Sequence, residues 1–158
     1  MYTFTVTIRI AAPAERCFDL ARSIDAHVAS TDGTGEVPVA GRTSGLIEAG
    51  EQVTWRAKHL GVTQHLTVRI VSMDRPRRFS DEMVRGAFKT FEHDHEFREV
   101  GGGTEMVDVI RLAAPLGPLG WLAERLFLGA YMRRFIIKRA EILKQLAERD
   151  DWRKFLPA

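Results

Sequence analysis

Residues 2 to 10 alternate, with Tyr2, Phe4, Val6, Ile8 and Ile10 on one face and polar side chains on the other, the period of a half-buried strand. Pro13 then opens a helix containing Cys17, Phe18 and Leu20, since proline has no donor to lose in a first helical turn. Ser23 is placed to cap a second short helix around Ile24 to Val28. From residue 29 to 50 the pattern lapses. Five of the 13 glycines and Pro38 fall here, and only a short strand around Arg42 to Ile47 is expected. The segment is long enough to act as a lid, and "GTGEVPVAG" at 33 to 41 reads as a mobile entrance loop.

Alternation returns in five runs, "EQVTWRAKHL", "VTQHLTVRIVSM", "RRFSDEMVR", "FKTFEHDHEFREV" and "TEMVDVIRLA". Gly61, "DRP" at 74 to 76, Gly86 and "GGG" at 101 to 103 separate them, and strands joined by such short turns form an antiparallel meander. With the first strand and the one near Arg42, the sheet has about seven strands. After "APLGPLG" a long helix is expected from about Leu119 to Arg149. Leu119, Leu122, Leu126, Tyr131, Phe135, Ile142 and Leu146 supply its apolar stripe, and Arg133, Arg134, Lys138, Arg139 and Glu141 mark polar surface. Its first half, "WLAERLFLGAYM", is apolar over more of its circumference and should be the more deeply buried part. Gly129 inside this helix marks either space or close packing on a strand.

Composition fits this pattern. With 158 residues, 45% of them hydrophobic and 28% charged, the chain suits a single globular domain over 1–158. The lone Cys17 excludes an internal disulfide framework, and no Cys/His spacing matches a zinc finger. The N-terminus alternates and lacks the continuous apolar run of a signal peptide, so a reducing cytoplasm is the expected home. Glu124 and Arg125 interrupt an apolar stretch far short of the ~20 residues of a membrane span.

Charge is uneven. From Tyr131 onward there are 8 Lys/Arg against 4 Asp/Glu, a net of +4, and the remainder holds 15 against 17, a net of −2. The basic end, Lys138 to Lys154, suits a solvated helix face or, as an interaction module, an acidic partner or anionic membrane. "RPRR" at 75 to 78 lacks interleaved aromatics, so nucleic acid is not an expected partner. Ser30, Ser44 and Ser80 have no nucleophile-elbow context, and no phosphate-cradling glycine loop follows a strand.

A strand, two short helices, a six-strand meander and a long closing helix together resemble the helix-grip fold of the START-like superfamily, also called SRPBCC. "APAERCFDLARSIDAH", "GRTSGLI", "VTWRAKHLGV", "DRPRRFSDEMVRGAF", "FEHDHEF" and "APLGPLG" are similar to its bacterial polyketide cyclase/dehydrase-like branch. The resemblance covers nearly the whole chain. It implies an α+β fold in which a curved antiparallel sheet wraps around the long helix, leaving an elongated apolar cavity for a hydrophobic small molecule. It supplies no catalytic motif to carry over, and function must come from the site.

Along Phe88 to Val100 one face carries Thr90, Glu92, Asp94 and Glu96, and the other Phe91, His93, His95 and Phe97. The histidines should therefore point into the concave interior. If the turn at Gly86 sets Asp81 opposite His93, and the "GGG" turn sets Asp108 opposite His95, each imidazole gains a carboxylate. Asp108 is open in parity: "EMVDVIRL" can turn either Met106, Asp108, Ile110 and Leu112 or Val107 and Val109 inward. Val53, Trp55, Ala57 and His59 share a face, as do Val62, Gln64, Leu66, Val68 and Ile70, and His65 points out. The expected cavity then has walls of Trp55, Met83, Phe91, Phe97 and Tyr131 and a polar patch of His59, Gln64, Asp81, His93, His95 and Asp108.

Three uses of this patch remain open. The groups satisfy one another in a core, orient a lipid-, polyketide- or aromatic-like ligand, or perform His/Asp acid–base catalysis as in a cyclase or dehydratase, with His93 or His95 as base and Asp108 beside them. Two histidines at i and i+2 with a nearby aspartate make only a partial metal site, so neither metal nor cofactor is expected.

Overall fold

Short turns let each alternating segment pair with the next. In the computed structural model, which describes residues 1–31 and 33–157, the strands are β1 (Tyr2–Ile10), β2 (Val37–Gly41), β3 (Gln52–His59), β4 (Val62–Asp74), β5 (Arg78–Arg85), β6 (Thr90–Val100) and β7 (Gly103–Ala113). They form one antiparallel sheet in the order β1-β7-β6-β5-β4-β3-β2. The meander therefore runs from β2 to β7, and β1 returns beside β7 with Tyr2 opposite Leu112 and Ile10 opposite Thr104. Register shifts at Thr67/Val68 and Ile70/Ser72 bend β4 and help curl the sheet.

One strand lies elsewhere than its residues suggest. The second strand is Val37–Gly41, within the supposed entrance loop, and residues 42–47 add only a bridge between Leu46 and Ser23. Pro38 argues against a strand in a sheet's middle, but β2 is an outer strand, where a residue without an N–H is tolerated. Its register slips between Pro38 and Ala40.

Three helical segments cover the concave face: α1 (Ala14–Ala21), α2 (Ile24–Ser30) and a long C-terminal helix. The Ser23 hydroxyl caps α2 by accepting from the Ala26 N–H, as its position predicts. The long helix comprises α3 (Gly117–Ala123), a π turn over Glu124–Leu128 and α4 (Gly129–Glu148). Its buried stripe on α4 is Gly129, Met132, Ile136, Ala140, Leu143 and Ala147, while Tyr131, Phe135, Ile142 and Leu146 flank it half-buried.

The first half of this helix corrects the sequence expectation. Leu119 and Leu126 are 72% and 69% exposed, and Trp121, Leu122 and Phe127 also face out. A stripe counted from Leu119 assumes an unbroken α-helix. A π turn holds one residue more than an α turn, which rotates everything after it by about 100° relative to what precedes it. The inward positions here are Gly120 and Glu124, whose Oε1 accepts the Ala114 N–H at 2.6 Å. Gly129 ends the π turn, its N–H donating to the Glu124 carbonyl. A Cβ there would stand 2.5 Å from the Tyr2 ring, so this glycine serves close approach to β1 rather than open space.

The C-terminal tail packs back on the fold. A 3₁₀ turn at Asp150–Lys154 sets Trp152, Phe155 and Leu156 against the core, with the Arg16 guanidinium 4.4 Å from the Trp152 ring.

Candidate functional site

A cavity of about 270 Å³ lies between the concave sheet and α4. Aliphatic and aromatic side chains make most of its wall, among them Trp55, Val68, Phe79, Phe91, Met132 and Ile136. Of the residues expected here, Trp55, His59, Gln64, Asp81, Phe91, His93, His95 and Tyr131 line it. His65 is exposed, as its parity predicts, although part of it also borders the cavity.

Two expected wall residues and one polar-patch residue stand outside. Met83 is half-buried with its sulfur over Gly86, beyond which the chain leaves β5 for the turn. Phe97 faces inward but is taken up by the core, its ring 5.4 Å from Phe18 and 6.2 Å from Phe79. Asp108 points in, with Met106, Ile110 and Leu112, and sits behind the histidines rather than on the cavity wall.

The first polar cluster spans β5, β6 and β7. Asp81 pairs in register with His93, and Asp108 with His95. The contacts follow this register only in part: Asp108 meets its opposite His95, but His93 reaches Asp108 and His95 reaches Asp81 on the diagonal. Asp108 Oδ1 lies 2.7 Å from His95 Nδ1 and is hydrogen-bonded to His93 Nε2 at 3.1 Å, while Asp81 Oδ2 and His95 Nε2 are hydrogen-bonded at 3.3 Å. The imidazoles overlap with centroids 3.8 Å apart, and Phe79 stacks on His95 at 4.2 Å. One carboxylate thus serves two rings.

The second cluster joins two expected residues, His59 and Tyr131, to Glu36 and His27, which the sequence did not single out. Glu36, buried just before β2, meets His27 of α2 at 2.5 Å and His59 Nε2 at 3.3 Å. His59 Nδ1 in turn meets the Tyr131 hydroxyl at 2.8 Å, and His27 stacks on Trp55 at 4.0 Å. Half-buried Arg139 also lines the cavity. His27 carries a weak signal, since Ile24, His27 and Val28 share the i, i+3, i+4 face of α2. Glu36 carries none, because a glycine-rich segment has no period to betray a buried side chain.

These contacts set the charges. Burial raises the carboxyl of Asp108, but the hydrogen bonds from His93 and His95 outweigh it and hold Asp108 well below its ordinary 3.8. Asp81, bonded to His95, and Glu36, bonded to His27 and His59, are likewise lowered against their burial. Burial and the charge on His95 push His93 down, and burial and Arg139 push His27 down. His95 goes up: burial opposes its proton, but bonds to Asp108 and Asp81 prevail.

A pH dependence follows. The lowered carboxylates add stability above their ordinary values of 3.8 and 4.5 that is lost on acidification. His93 and His27 stay neutral where the unfolded chain takes up protons, so they subtract stability as pH falls through 6.5. His95 has the opposite sign, adding stability below 6.5 that fades as pH rises through its folded value. Two lowered histidines against one raised lower the urea midpoint as pH falls through 6.5, and the three carboxylates add their loss below 4.5, so the midpoint should be lower at about pH 3.5 than at about pH 7. A midpoint equal at both ends would contradict this charge assignment.

The family model described as "Polyketide cyclase / dehydrase and lipid transport" matches residues 1–148. Among solved structures, the protein TTHA0849 from Thermus thermophilus is similar with a TM-score of 0.74 at 18% identity, over 91% of this chain and 95% of that one. A START superfamily protein from Mycobacterium smegmatis gives 0.69 at 14% identity, over 94% and 98%. Ginseng major latex-like protein 151 from Panax ginseng gives 0.65 at 13%, over 92% and 97%. At such identities the likeness is one of fold. No curated protein matches.

Proposed function

The chain belongs to the polyketide cyclase/dehydrase and lipid transport family, and from that premise we propose that it binds a mainly apolar small molecule of lipid, polyketide or aromatic type between the sheet and α4. The supporting observation is the cavity, where aromatic and aliphatic walls surround a few convergent buried polar groups. Apolar area supplies affinity, and the Asp81/His93/His95 and His59/Tyr131 groups orient the ligand's oxygens. At about 270 Å³ the enclosed space is at the lower end for small-molecule sites, which favours a compact ring system over a long acyl chain.

The test is native mass spectrometry of the purified chain, with extraction of any added mass, followed by titration with the apolar fluorophore anilinonaphthalene sulfonate. Ile136→Trp, which fills the cavity from α4, should weaken fluorophore binding at least tenfold, and replacing His93 or His95 should matter more than replacing His65. Binding unchanged by all of these would remove the cavity as the site.

A second reading, cyclisation or dehydration of a carbonyl-rich substrate, has one observation in its favour. His93, pushed down by burial and by His95, lies on the cavity wall beside His95, which its bonds to Asp108 and Asp81 push up against burial, and such divergent pairs assign a base and an acid. Turnover of a β-dicarbonyl substrate that depends on pH and is lost in His93→Gln and His95→Gln would establish it. Recovery of the substrate unchanged would leave a carrier.

A further inference from the structure

We propose that Asp81, His93 and His95 bind a divalent transition-metal ion of the zinc and ferrous-iron type, with Asp108 orienting both imidazoles from behind. Each of the three offers a ligand atom, and these atoms all lie within 4.8 Å of one another. Histidine nitrogens and carboxylate oxygens sit about 2.0–2.2 Å from such an ion, so neighbouring tetrahedral ligands stand about 3.3–3.5 Å apart. His95 Nε2 and Asp81 Oδ2 are already 3.3 Å apart, long for a charge-assisted hydrogen bond and suited to two ligands sharing an ion. Closure of the whole set needs a contraction of at most about 1.5 Å, within reach of small side-chain rotations.

Asp108 adds an independent argument. Its Oδ1 lies 2.7 Å from Nδ1 of His95 and 3.1 Å from Nε2 of His93, so the ring nitrogens turned away from it, Nε2 of His95 and Nδ1 of His93, are those left to hold an ion, the ion displacing the proton that His95 Nε2 shares with Asp81. A carboxylate behind a metal-binding histidine fixes the tautomer and makes the ring a better donor. Here one carboxylate does so for two rings, and Asp81 supplies the third ligand without touching it.

Position completes the case. His93 and His95 are each 3% exposed, yet all three ligands line the 270 Å³ cavity, so the remaining coordination positions open onto the ligand space. Two histidines and one carboxylate with open positions are the donor set of catalytic zinc and of mononuclear non-haem iron. The group filling an open position would be an oxygen of the apolar ligand, a carbonyl, enolate or phenolate. A metal-bound His93 cannot serve as a base, so this role and the acid–base role exclude each other. The ligand class rests on the binding reading above, whereas the ion does not.

The test uses the full chain, stripped with chelator and titrated by calorimetry with Zn²⁺, with Fe²⁺ under anaerobic conditions, and with Co²⁺ followed by visible absorption. One ion per chain is expected, lost in His93→Ala and His95→Ala. Asp108→Asn should weaken binding about 10- to 100-fold. Should an alanine variant fail to fold by circular dichroism, Asp81→Asn, which keeps the shape, should still lower affinity at least tenfold. The stronger-binding of Zn²⁺ and Fe²⁺ identifies the ion. Failure of all three ions to bind one-to-one at micromolar concentration, or uptake indifferent to His93→Ala, would overturn the proposal. Fluorophore binding by the metal-free chain reports separately on the cavity, so the two readings fail independently.

Discussion

Replacing Asp108 by alanine is expected to destabilise the fold by about 3–5 kcal/mol, because it removes the buried carboxylate that two buried imidazoles share. Asp108 lies behind the cavity and faces both His93 and His95, so its loss leaves one nitrogen of each buried ring without its partner. Urea unfolding at pH 6 measures the effect. A cost below about 1 kcal/mol would mean that water already reaches the cluster. Exchanging the whole cluster is expected to be milder than cutting one member: Asp81→Leu, His93→Phe, His95→Phe and Asp108→Leu together should cost less than Asp108→Ala alone, since an intact buried ionic group barely repays its desolvation. Stability then gives no reason for polar groups at this place, and the chemistry of the cavity does.

Phe18→Ala should cost a similar amount, about 3–5 kcal/mol, by a different route. Phe18 is fully buried on α1 and meets Phe79 and Phe97 edge-on at 5.3 and 5.4 Å. Phe79 in turn stacks on His95. The substitution removes a wedge between α1 and the sheet and also frees the ring that steadies His95. Thermal and urea denaturation should therefore drop together with fluorophore affinity at the cavity. A loss under about 1.5 kcal/mol would show that the neighbouring aromatics collapse into the gap.

The strand β6 shows how far the sequence carries. Strict period-two alternation in "FEHDHEF" fixes which side chains face in, and two short turns then settle the registers that bring Asp81 and Asp108 to the histidines. Asp108 itself had two possible parities, because "EMVDVIRL" has apolar residues on both faces, and only packing chooses between them. The bonding pattern was less legible, since ring rotation decides whether His93 meets the carboxylate opposite or the diagonal one. Nothing local announces the π turn at Glu124–Leu128, and missing it inverted the burial expected for the first half of the helix. Glu36 is the clearest gap: its burial depends on where an outer strand begins, which is a property of the completed sheet.

The pairing of β1 with β7 also bears on how the protein comes to exist. Tyr2 opposite Leu112 separates partners by more than a hundred residues, so β1, once made, waits for β7. The meander can assemble strand by strand meanwhile, but β7 must add β1 on its far side before α4 has a complete floor to pack on. The ligand space is therefore among the last parts of the fold to form, and occupancy must follow the docking of α4 onto the finished sheet.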